Sequence, residues 1–372
     1  MSSPCEQIIS GTIILGTEFE PVDGYICVKD GVITEIGEET LKTGARTIIA
    51  PCFVNSHTHI GDSVCKDPSL GKCDGPRLIR DLDSLVRPPD GLKHRILRST
   101  SYQELVESMR STILDMITTG TCAFADFREG GVLGVLALKE AIGDLDIGSL
   151  IFGRPDKPDA STEDVLGEVD RVLRNANGLG ISGVNDIDSG MVRAMLEYTR
   201  EQKRLFAIHA GEKDRTDIEE ALSLKPDMLI HMTSANKSDI SMTADAGVPV
   251  VICPRSNFTT GVGMAPICDM LEAGIKVGVG TDNVMLNSAN MFAEMEVLSK
   301  VFGLDDRQVF MMCTLNGGQI LGLDGFGSIE KGNKAHLMIL NGNSNNLSNI
   351  QDPLSGIVRR ARPDDILSVI HA

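Results

Sequence analysis

The stretch FVNSHTHIGDS, residues 53–63, is an apolar run that ends in two of the chain's seven histidines, His57 and His59. Residues i and i+2 of a β-strand point to the same side, so a strand here presents both imidazoles to one point. Taken alone, the pair is either two ligands of one metal or a chance pattern at a sheet edge. The rest of the chain has to decide between them.

From residue 50 onward, short apolar runs that end in polar residues alternate with longer amphipathic segments, the rhythm of βα units around a parallel sheet. The runs are IIAPCFVNSH, TCAFADF, IGSLIFG, LGISGVND, RLFAIHAGE, DMLIHMT, VPVVICPRSN and KVGVGTDN, eight in all. Eight such strands within residues 50–326 predict an α/β fold, a (β/α)8 TIM barrel, whose active sites collect at the C-terminal ends of the strands. Between the first two strands, Tyr102, Leu105, Val106, Met109, Ile113, Met116 and Ile117 recur at helical spacing and predict a helix with one face toward the sheet.

The other strand ends bear on the opening pair. The fifth finishes in AIHAGE, with His209 at the rim and Glu212 three residues on; the sixth gives His231 and the eighth Asp282. Imidazoles with one carboxylate suit a single divalent ion, Zn2+ ahead of Fe2+, with a position left for water. His94, His336 and His371 fall elsewhere and read as structural or solvated.

The chain ends follow a different rhythm. Residues 7–37 are β-branched runs broken by Gly, Pro and Asp, and the segment GSIEKGNKAHLMILNGN near the C-terminus repeats that pattern. Residues 1–49 and 327–372 are therefore expected to form one small β domain, a sandwich built from both chain ends. Residues 62–98 read as a long inserted loop rich in Lys and Arg, either a basic lid for an anionic substrate or a solvated surface loop. GLGISG, residues 178–183, fits a dinucleotide fingerprint but enters a strand instead of leaving one, and is discounted.

Composition removes several classes. A net charge of −17 over 372 residues opposes a nucleic-acid partner. No apolar stretch reaches membrane-spanning length and MSSPCEQIISG lacks the marks of a signal peptide, so a cytoplasmic protein is expected. Nine scattered cysteines without a CxxC pair read as reduced thiols.

PCFVNSHTHIGDS, IHAGE, IHMTSAN, CPRSN and GVGTDN, in that order, resemble the amidohydrolase superfamily, in its branch of cytosine, guanine and S-adenosylhomocysteine deaminases and triazine chlorohydrolases. The resemblance spans nearly the whole chain. It implies one metal held by His57, His59, His209 and Asp282, with His231 beside it, Glu212 as acid/base, and His231 and Asp282 as the groups that accept the proton of the metal-activated water and orient it. The activity it implies is hydrolytic deamination of an amino-substituted heterocycle, such as a nucleobase or nucleoside, in which a metal-activated water releases ammonia. Relatives often form dimers or larger rings. The strand-four segment GVNDIDSG lacks the His of adenosine-type relatives, leaving Asn185 or Asp186 to meet the substrate; Arg128 either binds a substrate oxygen or pairs with a carboxylate. Two other readings stay open, dechlorination or dealkylamination of a triazine-like ring and a catalytically silent binding barrel.

Overall fold

The computed structural model describes residues 6–38, 46–69, 80–88 and 90–371. Lys72 and Arg77 of the basic loop, and Cys5 and Cys73, lie outside them. Among the described residues no helix is long and apolar enough to cross a membrane.

Among the described residues, fifteen strands divide between two sheets. The first sheet holds β1 (Gln7–Leu15), β2 (Glu20–Lys29), β3 (Val32–Gly37) and β4 (Thr47–Pro51) from one end of the chain. The other sheet runs β5 (Phe53–His59), β6 (Thr121–Arg128), β7 (Gly148–Gly153), β8 (Gly178–Ile181), β9 (Leu205–Ala210), β10 (Met228–His231), β11 (Val250–Ile252), β12 (Val277–Val279) and β13 (Asp282–Asn283). From the far end, β14 (Leu337–Asn341) and β15 (Ile366–Ile370) join the first sheet, whose order is β15-β14-β4-β1-β2-β3.

The nine-stranded sheet is parallel throughout and follows chain order from β5 to β12, while β13 pairs with β5 on its other side. Because only Gly280 and Thr281 separate β12 from β13, one short segment touches both edges and brings the curled sheet round on itself. Two side-chain features fit that seam. A Cβ on Gly280 would stand 2.5 Å from the His57 Cβ and 2.6 Å from its carbonyl oxygen, so only glycine allows the approach. Asn55 spans the gap, donating from Nδ2 to Thr281 Oγ1 (2.8 Å) and accepting the Thr281 N–H at Oδ1 (3.1 Å). A strand buried on both faces reads as a continuous apolar run, and every residue of β5 is buried.

The apparent first barrel strand, IIAPCFVNSH, is two strands in two sheets. β4 runs antiparallel to β14, and the chain changes sheets at Cys52, whose N–H goes to His336 while the next, Phe53, bonds the Gly120 carbonyl. The apolar run conceals that break because both halves are buried.

The two chain ends do meet, but in one mixed sheet rather than a sandwich. Among the described residues no second sheet faces it. Instead it curls, and backbone bonds between Ile33 and residues 332–333 bring the β3 edge to the segment before β14. Period-two alternation then sorts the side chains. Ile13, Ile49, Leu337 and Ile339 join a small core inside the curl, while Ile14, Ile48, Met338 and Leu340 pack into the large core of the nine-stranded sheet.

The helix Tyr102–Thr118 forms as its spacing predicts, opened by a Ser101/Glu104 capping box. Met109, Ile113 and Met116 are buried, but Tyr102 is 44% exposed and hydrogen-bonds Glu140. The inserted loop is partly helical, over Leu82–Leu85 and Leu92–Ser99. Between β14 and β15, the helix Pro353–Arg360 occupies a stretch whose polar flanks gave no helical signal; Pro353 opens it and Asp352 caps it.

Candidate functional site

His57 and His59 stand at the end of β5, His209 in β9, His231 at the end of β10 and Asp282 at the start of β13. All five are at least nine-tenths buried, and their imidazoles lie together, with ring centroids 4.9 Å apart for His57 and His59, 5.0 Å for His57 and His209 and 5.4 Å for His209 and His231. His57 Nε2 is 3.3 Å, and His59 Nε2 3.5 Å, from Asp282 Oδ1. Ligands about 2.0–2.1 Å from a tetrahedral zinc stand about 3.3–3.4 Å from one another. His57 Nε2 and Asp282 Oδ1 are buried without a hydrogen-bond partner, which is costly unless something else satisfies them. The donor set therefore fits a divalent ion.

The ring orientations agree with that fit. His209 Nδ1–H donates to the Ile181 carbonyl (2.8 Å), and His59 Nδ1 is 2.9 Å from both the Phe127 carbonyl and Glu129 Oε1. Each leaves its Nε2 lone pair free, as metal-binding histidines require. Burial lowers all three proton affinities, taking His59 down to about 3 and His209 well below the usual histidine value, with His57 lowered despite Asp282. They are neutral imidazoles, the form that binds metal. Burial pushes Asp282 up, yet His57, with His231 and His59, holds it well below the ordinary carboxylate range.

Two of these residues keep unusual backbones. His231 has φ 77° and Asp282 φ 58°, both left-handed. Such conformations cost about 1–3 kcal/mol each and persist where the surroundings over-determine them, often at functional sites.

Glu212 lies past β9 with Oε2 3.5 Å from His231 Nε2, and burial raises its carboxyl to about 7. His59, His209, Glu212, His231 and Asp282 share one cavity of ≈ 180 Å³, and Asn185 and Asp186 line its rim. Asn185 is exposed, its Nδ2 3.4 Å from Thr216 Oγ1. Arg128 sits elsewhere: it is 1% exposed, with Nη2 2.5 Å from Glu129 Oε2 and Nη1 3.3 Å from Asp126 Oδ1. Its guanidinium packs where a Cβ on Gly61 would be, 2.1 Å away. Of its two possible roles, the structure has the carboxylate pairing.

Two functional side chains escaped the sequence reading. Glu129 takes Lys93 Nζ (2.8 Å), Arg154 Nη2 (2.7 Å) and His59 Nδ1 on one oxygen and Arg128 on the other. Burial pushes this carboxyl up, but Lys93, then His59, Arg154 and Arg128, hold it well below its usual range. Its position one residue past the end of β6 was the available signal. Among the described basic residues of the loop, Lys93 alone is buried; it faces the cavity, 3.2 Å from Asn283 Oδ1, whereas Lys66, Arg80, Arg87, Arg95 and Arg98 are exposed.

Residues 48–371 match the model of the amidohydrolase family. A protein of Methanothermobacter thermautotrophicus named a putative aminohydrolase is 36% identical, over 97% of this chain and 96% of its own length. A 5-methylthioadenosine/S-adenosylhomocysteine deaminase of Thermococcus onnurineus is 26% identical, over 98% and 92%. Among solved structures, atrazine chlorohydrolase TrzN from Arthrobacter aurescens TC1, complexed with zinc, superposes with a TM-score of 0.82 at 18% identity, over 98% of this chain and 93% of the other. Sequence and architecture agree: the chain belongs to the amidohydrolase family.

Proposed function

We propose that this protein is a metal-dependent hydrolytic deaminase of an amino-substituted heterocycle, a nucleobase, nucleoside or related compound, and that it carries one Zn2+. The observation that carries this reading is Glu212, raised to about 7 and placed beside His231 in the same cavity as the neutral histidines and the ionised aspartate. An amide hydrolase has no ring nitrogen to protonate, whereas attack on a ring carbon needs such an acid. A relative named for deamination of 5-methylthioadenosine and S-adenosylhomocysteine supports the substrate class.

In this reading His57, His59, His209 and Asp282 hold the ion. Bound there, it lowers the pKa of a water toward neutrality. His231 accepts a proton from the attacking water while Glu212 donates one to the ring nitrogen, so the carbon becomes tetrahedral without building charge. The proton on His231 passes to the departing amino group. Ammonia leaves as the hydroxyl on that carbon returns its remaining proton to Glu212, so the ring keeps the oxygen as an oxo group and the acid is restored. Asn185 and Asp186, on the rim, are assigned to the far side of the substrate, and Lys93 with Glu129 fixes the His59 ring.

The same reading treats residues 50–326 as the catalytic unit and residues 1–49 with 327–372 as its small companion. It places the enzyme in the cytoplasm.

The test is a panel of aminopurines, aminopyrimidines and aminopterins given to zinc-loaded protein and read by ammonia release. At least one compound is expected to turn over, and Glu212→Gln to lose about 10²–10⁴-fold in kcat with its zinc retained. No ammonia from the whole panel, or full activity in the variant, rejects the proposal.

A further inference from the structure

The seventh barrel strand contributes nothing to the centre described above, although CPRSN ends it. The geometry points to a role for that turn: we infer that Ser256 and Asn257 are positioning residues, Ser256 leaving Asp282 one oxygen for the metal and Asn257 fixing the His231 tautomer that can accept a proton. The inference rests on the proposed metal site and deepens it.

The helix Pro254–Thr260 starts directly after β11, and its first turn carries Arg255, Ser256 and Asn257. Ser256 and Asn257 are buried, with 0% and 1% exposure. Ser256 Oγ–H donates to Asp282 Oδ2 at 2.5 Å. The other oxygen, Oδ1, is the one without a hydrogen bond, 3.3 Å and 3.5 Å from the His57 and His59 Nε2 atoms. With Oδ2 occupied by a hydroxyl, a carboxylate able to chelate through both oxygens is confined to one, which suits four-coordinate zinc.

Asn257 acts on the opposite wall. Its Nδ2 donates to Thr233 Oγ1 (2.8 Å), which turns Oδ1 to His231 Nδ1 at 3.1 Å. An amide oxygen only accepts, so His231 Nδ1 carries the hydrogen, and of the two tautomers the one selected leaves the lone pair on Nε2, facing Glu212. The opposite tautomer would set N–H toward the water from which a proton must be taken. Just before the two residues, Arg255 ties the turn down. Its backbone N–H donates to Glu294 Oε2 (3.2 Å), and its guanidinium donates to the Ser288 carbonyl (3.2 Å) and lies 3.5 Å from Glu294 Oε1. Consecutive side chains on one anchored turn thus hold one group on each side of the reacting water.

The experiment has two arms that need no substrate. In the first, long-range 1H–15N spectra of the full chain read the His231 ring: wild type is expected as the neutral Nδ1–H tautomer, Asn257→Asp as the same, and Asn257→Leu as a mixture or the Nε2–H form. In the second, chelator competition with Zn2+ alone reads affinity: Ser256→Ala is expected to weaken it about 10–100-fold and Ser256→Thr to restore it, with the melting temperature of the metal-free proteins showing that each variant is folded. An Nε2–H tautomer in wild type, or Asn257→Leu without effect on the ring, overturns the assignment to Asn257; unchanged zinc affinity in folded Ser256→Ala overturns the assignment to Ser256. Both arms can succeed while the heterocycle panel gives no ammonia, in which case the deaminase reading alone fails. Where turnover is found, Asn257→Leu should lower kcat with little change in KM, and Asn257→Asp should recover most of it.

Discussion

The mouth of the curled nine-stranded sheet and the curled sheet of the chain ends are built on opposite rules. The curl encloses Ile13, Ile26, Ile33, Ile49 and Leu337, all at most 1% exposed. At the mouth, His57, His59, His209, His231, Asp282 and Glu129 are also buried, none more than 8% exposed, with two of them in left-handed backbones and three of their polar atoms without hydrogen-bond partners. The first arrangement stabilises the fold through transfer of apolar surface from water. The second costs stability and is tolerated because neighbouring elements hold it. Changes at the mouth should therefore remove chemistry and spare the fold, and changes in the curl should do the reverse.

The largest effect expected is that of Asp282→Ala. Zinc should fail to bind, and turnover should fall by roughly a thousandfold or more, because the water's pKa returns toward its bulk value. The metal-free variant should melt no lower than metal-free wild type, since it loses an ionised group held under strain. A variant that keeps its zinc, or that unfolds, breaks the contrast. Next comes Ile49→Ala, wholly buried in the curl. It should cost about 2–5 kcal/mol in urea unfolding and leave zinc affinity unaltered; a drop in zinc affinity would show the two regions to be coupled.

Glu294 sharpens the boundary from below, since it is buried behind the Arg255 turn with its carboxyl raised to about 7 by burial, against the pull of Arg255. Between the ordinary value of 4.5 and about 7 the folded protein keeps a proton that the unfolded chain has released. The stability this group gives at acid pH is therefore lost as pH rises through about 7. Glu294→Gln has no such proton to lose, so it should gain on wild type by on the order of 3 kcal/mol between pH 4.5 and about pH 8. A difference that stays flat across that range removes the buried acid from the account. The smallest effect is that of Tyr102→Phe, whose hydroxyl meets Glu140 at the surface (2.9 Å); a change below about 0.5 kcal/mol is expected, and a larger one would mean that this face is covered in solution.

What the sequence made legible follows from the same contrast. His57, His59, His209, His231, Asp282 and Glu212 were found because ligand-type residues at strand ends are rare against an apolar background. Glu129 and Lys93 were not, since a carboxylate after a strand and a lysine in a basic loop look like ordinary surface, and only burial tells them apart. Ser256 and Asn257 were visible as part of a motif, but their targets lie 26 residues away in sequence, beyond any periodic signal. The break at Cys52 was hidden by unbroken hydrophobicity. The sandwich was inferred from strand composition, which reports pairing but not whether a sheet folds over itself.

The seam between β5 and β13 carries one more consequence. Only two residue pairs, Asp282 with Thr58 and Asn283 with His59, complete the ring there, and three of the four assigned ligands stand on those two strands. A cation at this spot would act as a clasp, substituting coordination for the ladder that so short a strand cannot supply. Stripping it with a chelator should let the ring open at this joint before anywhere else, so that amides of residues 57–59 and 280–283 exchange with deuterium first while the curled sheet stays closed.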